Sequence, residues 1–277
     1  MQIEYNTYAV GFCSHSERTA IQDGRKSPVV FPALCFALKH PTKGIILFDT
    51  GFSSRFAEIC KKFPDSLYNF LLPVKIKPED DFASQLTKHQ NIRCEEVKTI
   101  IISHFHVDHI AGLLDFPNAR FICSRESYEA LRHLGRLGAL VRAYCPKLMP
   151  ANFADRCDFI ENAQSVNLLD EISPFEFGYD LFADGSIFAV PLPGHAKGHF
   201  GIVFKNKNNE TIFLVSDACW LSRAYKEFKM PHFITRLVHH NWHSYRKTLS
   251  QLHKLHKNKP EIKIIPSHCG EIPYEGH

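Results

Sequence analysis

At 277 residues, 44% hydrophobic and 22% charged, the chain is long enough to bury a sizeable core, and a formal net charge of +4 is too small to mark a nucleic-acid binder. The N-terminus MQIEYNTYAVGFCSHSE has no signal-peptide pattern, and no apolar run approaches the roughly 20 residues of a membrane-spanning helix. Nine cysteines with no C-x-x-C pair argue against a disulfide framework or a Cys-based zinc site, so a reducing cytoplasm is the expected home.

In chain order, VVFPALCFALKH (29–40) predicts a strand and GIILFDTG (44–51) a second, with a turn at Pro41–Gly44 between them. VKTIIIS (97–103) predicts a buried strand and ARFICS (119–124) another. Residues 124–145 predict a helical region interrupted at Gly135 and Gly138. Residues 146–180 read as irregular and rich in Phe, Pro and Asp. Strands are expected again in SIFAVPLPGH (186–195), HFGIVFKN (199–206) and ETIFLVSDA (210–218), then a helix over 241–257 and a last strand in EIKIIPSH (261–268). With no Pro- or Ser-rich linker between the two groups of strands, one domain over 1–277 is expected. Basic residues cluster in RLVHHNWHSYRKTLSQLHKLHKNK. Trp242, Tyr245, Leu249 and Leu252 recur there at helical spacing, so the stretch reads as the wet face of an amphipathic helix, with an anionic partner as the alternative.

The 17 histidines are far above background and direct attention to metal ligation. His104-Phe105-His106-Val107-Asp108-His109 packs four ligand-type side chains into six positions, after a buried strand and before an expected helix. Alternate residues of an extended segment point the same way, so His104 and His106 can grip one ion while Asp108 and His109 face a neighbouring position. Three further candidates each end an apolar strand: His195, Asp217 and His268. Asp49, in ILFDTG, could orient a ligating His from behind. His199 reads as a non-ligand. Cys219 and Cys269, though adjacent to candidates, read as buried apolar thiols. The Phe-rich segment 153–182 (Phe153, Phe159, Phe175, Phe177, Tyr179) could line an acyl-chain pocket or simply fill the core, and FKMPHF (228–233) is a second candidate wall.

The order DTG, HFHVDH, PGHAKGH, SDA, PSH, spanning residues 49–268, resembles the motif series of the metallo-β-lactamase superfamily. The resemblance implies an α/β fold, a four-layer αββα sandwich with its site at one edge of the two sheets. It implies a first metal on His104, His106 and His195 and a second on Asp108, His109 and His268. Asp217 would bridge them and Asp49 would stand behind. The ions would be divalent, zinc first, with iron, manganese or cobalt as alternatives.

Within the superfamily, the presence of Asp217, the lack of an export signal and His at 106 disfavour secreted β-lactamases and diiron flavoproteins. The nine residues after His268 leave no room for the helical extension of glyoxalase II, and the extra arms of RNA-processing nucleases are missing. The layout is most similar to N-acyl homoserine lactonases, with one departure: their Tyr three residues after the bridging Asp is Trp220 here. An indole N–H donates but does not titrate usefully, so Trp220 is expected to act as a pocket wall. The implied activity is hydrolysis of a small-molecule lactone or carboxylic ester, possessing an acyl chain, by a metal-bridging hydroxide, with Asp108 passing a proton to the leaving oxygen. The alternatives are a phosphodiesterase on the same two metals and a mononuclear iron dioxygenase acting on persulfides.

Overall fold

The computed structural model describes residues 1–71 and 73–276. Its strands are β1 Glu4–Ser16, β2 Pro28–His40, β3 Gly44–Phe48, β4 Val97–Ile101, β5 Arg120–Cys123, β6 Cys157–Phe159, β7 Gln164–Asn167, β8 Phe177–Asp180, β9 Ile187–Pro191, β10 Phe200–Lys205, β11 Thr211–Ser216 and β12 Lys263–Pro266. They form two six-stranded sheets, ordered β1-β2-β3-β4-β5-β6 and β12-β11-β10-β9-β8-β7. β1, β2 and β3 pair antiparallel, β3 to β6 run parallel, and in the second sheet only β11 and β12 are parallel.

The two-residue period of the strands builds the layers. Leu34, Phe36 and Leu38 of β2 and Ile46 and Phe48 of β3 meet Ile202, Phe204, Ile212 and Leu214 of the other sheet in the central apolar layer. The intervening Cys35, Ala37 and Leu47 face the opposite way, against Phe56, Phe82, Leu86 and Ile110. On the far side, Val203, Phe213, Val215 and Ile264 pack against Leu249, Leu252 and Leu255 of the helix Trp242–Asn258. The result is the expected αββα sandwich. Each fully buried Leu, Ile or Phe contributes roughly 1.5–3 kcal/mol of transfer free energy.

The expected strands form, and the 124–145 region is two helices, Arg125–Leu131 and Arg136–Val141, broken where Gly135 precedes the second, whereas Gly138, expected as another interruption, lies within the second helix. Three features lie outside the sequence reading. β1 is the joint-longest strand, the short strands β6, β7 and β8 organise a stretch expected to be irregular, and Phe82–Gln90 is a helix. Phe153 stacks on Phe121 at 4.7 Å and Phe175 meets Phe213 edge-on, so those rings fill the core. Among the described residues no helix is long and apolar enough to cross a membrane.

Candidate metal centre

Seven side chains meet at the ends of strands. β4 leads into His104, His106, Asp108 and His109, β9 into His195, β11 into Asp217 and β12 into His268. Backbone geometry aims one of these ends and the end of β3 beside them. Asp49, just past β3, has φ +59°, and Ser216, just before Asp217, has φ +48°. Non-glycine residues rarely adopt this left-handed region, and it costs free energy that the packed surroundings must offset.

The donor atoms form two groups. His104, His106, His195 and Asp217 each offer a ligand atom within 4.8 Å of the others, and so do Asp108, His109 and His268. Asp217 joins them. Its Oδ2 lies 3.2 Å from His195 Nε2, and its Oδ1 lies 3.2 Å from His268 Nε2 and 3.4 Å from His109 Nε2. Asp108 Oδ2 is 3.4 Å from His268 Nε2, and His106 Nδ1 is 2.9 Å from His195 Nε2.

The other ring nitrogen of three of these histidines is held from behind. His109 Nδ1 donates to Asp49 Oδ2 at 2.8 Å and His268 Nδ1 to the Pro32 carbonyl at 2.8 Å. His104 Nδ1 lies 3.0 Å from Ser103 Oγ, which donates to Asp49 Oδ2 at 2.7 Å, and the Ser103 N–H donates to Asp49 Oδ1 at 2.8 Å. Asp49 therefore backs one histidine of each group, one directly and one through Ser103. Such partners fix the tautomer that leaves Nε2 bare for a cation.

His104 Nε2, His109 Nε2 and Asp217 Oδ1 are buried with no hydrogen-bond partner. Buried polar atoms are almost always paired, so three orphans converging at one place need an explanation. Imidazole and carboxylate suit zinc and similar ions, and the set fits a pair of divalent cations. Electrostatics within the set agree. Burial alone would raise the Asp217 carboxyl, yet His268, His109 and His195 hold it well below the usual carboxylate range. Burial alone would lower His109, but the carboxylates of Asp108, Asp49 and Asp217 push it well above the usual imidazole range. Burial pushes His106 down to about 4.

His199 stands apart from both groups. Its Nδ1 donates to the Leu192 carbonyl at 2.9 Å, which leaves Nε2 to accept the Asp217 N–H at 3.2 Å. It anchors the Asp217 backbone. Cys219 and Cys269 are buried, and the Cys269 sulfur accepts the Ser222 N–H. Trp220 is half-buried. Its indole N–H donates to Asp217 Oδ2 at 2.9 Å and its ring stacks on His239, with centroids 5.6 Å apart.

His239 lies outside the sequence reading. Its Nδ1 is 3.3 Å from His195 Nδ1, in the position that a backing partner occupies for the other histidines. The backbone keeps it there, because the His240 N–H donates to the His195 carbonyl and the Asn241 N–H to that of Gly194. Gly194 makes this approach possible. It has φ +133°, and a Cβ there would sit 2.2 Å from the Tyr245 nitrogen at the start of the last helix. The only sequence signal for His239 is the His-rich run VHHNWH, which a helical-face reading absorbs.

A cavity of about 310 Å³ opens beside the first group. Its walls are His106, His195 and His239 with Leu131, Leu134 and Leu237, not the Phe-rich segment 153–182, and Trp220, expected as a wall, reaches it only through the His239 ring it stacks on. In FKMPHF, Phe228 and Met230 pack on the core and Phe233 is exposed.

The profile of the metallo-beta-lactamase superfamily matches residues 28–214, and the chain belongs to that superfamily. It is similar to N-acyl homoserine lactonase AttM of Azorhizobium caulinodans, 25% identical over 218 residues, covering 79% of this chain and 76% of that protein. Its match to AttM of Rhizobium radiobacter, 27% identical over 143 residues, spans only 49% of that protein. A solved structure of an N-acyl homoserine lactone hydrolase with the product N-hexanoyl-L-homoserine at its catalytic metal center superposes with a TM-score of 0.75. That match has 18% identity and covers 100% of this chain and 99% of the other.

Proposed function

We propose that this protein is a hydrolase that holds two divalent metal ions, zinc first among them, and opens a lactone or cleaves a related carboxylic ester. The observation that carries the reading is the Asp217 carboxylate, with one oxygen facing each histidine group, its own Oδ1 orphaned and the orphaned Nε2 atoms of His104 and His109 beside it. His104, His106 and His195 would hold one ion and Asp108, His109 and His268 the other, with Asp217 shared. Ions so held supply an activated water and polarise a carbonyl oxygen.

The chain's own residues do the rest. Asp49, Ser103, Pro32 and His239 fix the imidazole orientations. Trp220 steadies Asp217. Asp108, the most accessible carboxylate of the set at 20% side-chain exposure, can hand a proton to the leaving oxygen. The relatives named as N-acyl homoserine lactonases support a substrate with an acyl chain. The completeness of the second group counts against a mononuclear iron dioxygenase. We read residues 1–277 as one domain, and nine free cysteines suit the cytoplasm.

The test is metal analysis followed by a panel of lactone, ester, thioester and phosphodiester substrates. Two ions per chain and turnover of the carboxylic compounds are expected, with His106→Ala slower by several orders of magnitude. Full activity with one ion, or turnover of bis(4-nitrophenyl) phosphate alone, would overturn the reading.

A further inference from the structure

The cavity beside His106 and His195 has two kinds of wall. Leu131, Leu134, Val141, Leu237 and Val238 make one side apolar. Val141 is 77% and Leu237 84% exposed, so the apolar strip continues out over the rim. The other side carries Arg142, Lys197 and His240, from three separate segments: the residue after the helix Arg136–Val141, the loop after His195, and the loop before the last helix. All three line the one cavity.

Among the described residues little neutralises this side beyond Glu126. No Asp or Glu lines the cavity. The segments 130–154 and 228–260 contain none, and the acidic residues nearest in sequence to the cavity wall are Glu126 and Glu129, which flank the lining Ser127. Among the described residues the Arg142 guanidinium has no hydrogen bond or ion pair. Lys197 reaches only Glu126, at 3.9 Å between two exposed side chains, a pair of little worth in water.

A ligand that fills the cavity takes water away from Arg142 and Lys197. A neutral ligand gains nothing from these two exposed cations, whereas an anionic group lying against them pairs with both. Lys197 is two residues from His195 and the His240 N–H is bonded to the His195 carbonyl, so the cationic side adjoins the candidate centre. We infer that the cavity takes an anionic amphiphile, its acyl chain along Leu131, Leu134 and Leu237 and its anionic group seated on Arg142 and Lys197. The hydrolase reading then narrows to an ester or lactone that carries a negative charge a few bonds from the scissile carbonyl. That narrowing rests on the proposed function, but the anion seat does not.

Two measurements separate them. The first compares kcat/KM of the metal-loaded protein on phenyl octanoate and on 3-carboxyphenyl octanoate. The carboxylated ester is expected to be favoured about tenfold or more at low salt through KM, and the preference should fall about tenfold in Arg142→Gln and again with added salt. A ratio near one in the wild type, or one unmoved by Arg142→Gln, would overturn the inference. The second is calorimetric binding of decyl sulfate, which needs no turnover. Binding weakened about tenfold in Arg142→Gln supports the seat even if neither ester is cleaved, in which case the hydrolase reading alone fails. No binding, or equal affinity in the variant, refutes the seat. Arg142 is exposed, so the variant is expected to fold.

Discussion

Asp49→Asn tests the hydrogen-bond scaffold where the two ligand groups share a support. Asp49 is 1% exposed and accepts three hydrogen bonds, from the Ser103 N–H at 2.8 Å, Ser103 Oγ at 2.7 Å and His109 Nδ1 at 2.8 Å. Asparagine keeps the Oδ1 acceptor for the Ser103 N–H but puts an NH2 group where Oδ2 faced two donors. His109 must then lose its Nδ1 proton to accept, which places the proton on Nε2, the atom needed by a cation. Ser103 Oγ–H, turned away from the amide, would point at His104 Nδ1 and force the same exchange there. Loss of one such backing partner typically costs 10–100-fold in metal affinity, about 1.4–2.7 kcal/mol, and here both groups are touched. Asp217→Asn should cost more still, because that carboxylate meets both groups directly. The assay is chelator competition against each variant, with metal per chain measured by emission spectroscopy. Wild-type retention of both ions by Asp49→Asn would refute the reasoning, and so would equal losses in the two variants.

Trp220→Phe keeps the ring but removes the N–H on Asp217 Oδ2. Metal affinity should fall about ten- to a hundredfold, matching about 1.5–3 kcal/mol for one hydrogen bond to a charged group, while Trp220→Ala should also shift substrate preference. Unchanged chelator competition in Trp220→Phe would assign the indole to packing alone. Gly194→Ala should cost about 1–3 kcal/mol by overpacking against Tyr245 and lower the melting temperature by several degrees in calorimetry. Asp65 is buried between Arg136 and Lys147, at 2.9 and 2.8 Å. Burial alone would raise its carboxyl, but Lys147 and Arg136 hold it below the usual range. A lowered carboxyl contributes stability above its unfolded pKa of about 3.9 and loses it as pH falls through the folded value. Asp65→Asn should therefore be about 1–2 kcal/mol less stable than wild type in denaturant titration at pH 7, and the gap should close below about pH 4.

The clustering of the candidate ligands was legible because most of them end an apolar run, and a strand end fixes a side chain's position in both sequence and space. Asp49, His104 and His268 stand out this way in ILFDTG, IIISHFH and IKIIPSH. The layers followed from alternation in β2 and β3. Other features depend on tertiary placement that no local pattern carries. His239 meets His195 only because Gly194 lets the last helix close on its loop. The relay through Ser103 needs a left-handed turn at Asp49. The cavity wall is Leu131, Leu134 and Leu237, not the Phe-rich stretch, because composition says that rings are buried but not against what. β1 pairs with β2 through a register shift between Ala9 and Phe12, which blurs the two-residue period that would have revealed it.

The central claim is a two-ion centre that opens a carboxylic ring or ester. Its most direct test is to strip the protein of metal, add zinc in steps, and follow proton release from an N-acyl homoserine lactone. The account predicts a rate that climbs until two equivalents per chain are bound and then holds level, with His106→Ala silent throughout. Full rate at one equivalent, or no ring opening at two, would contradict it.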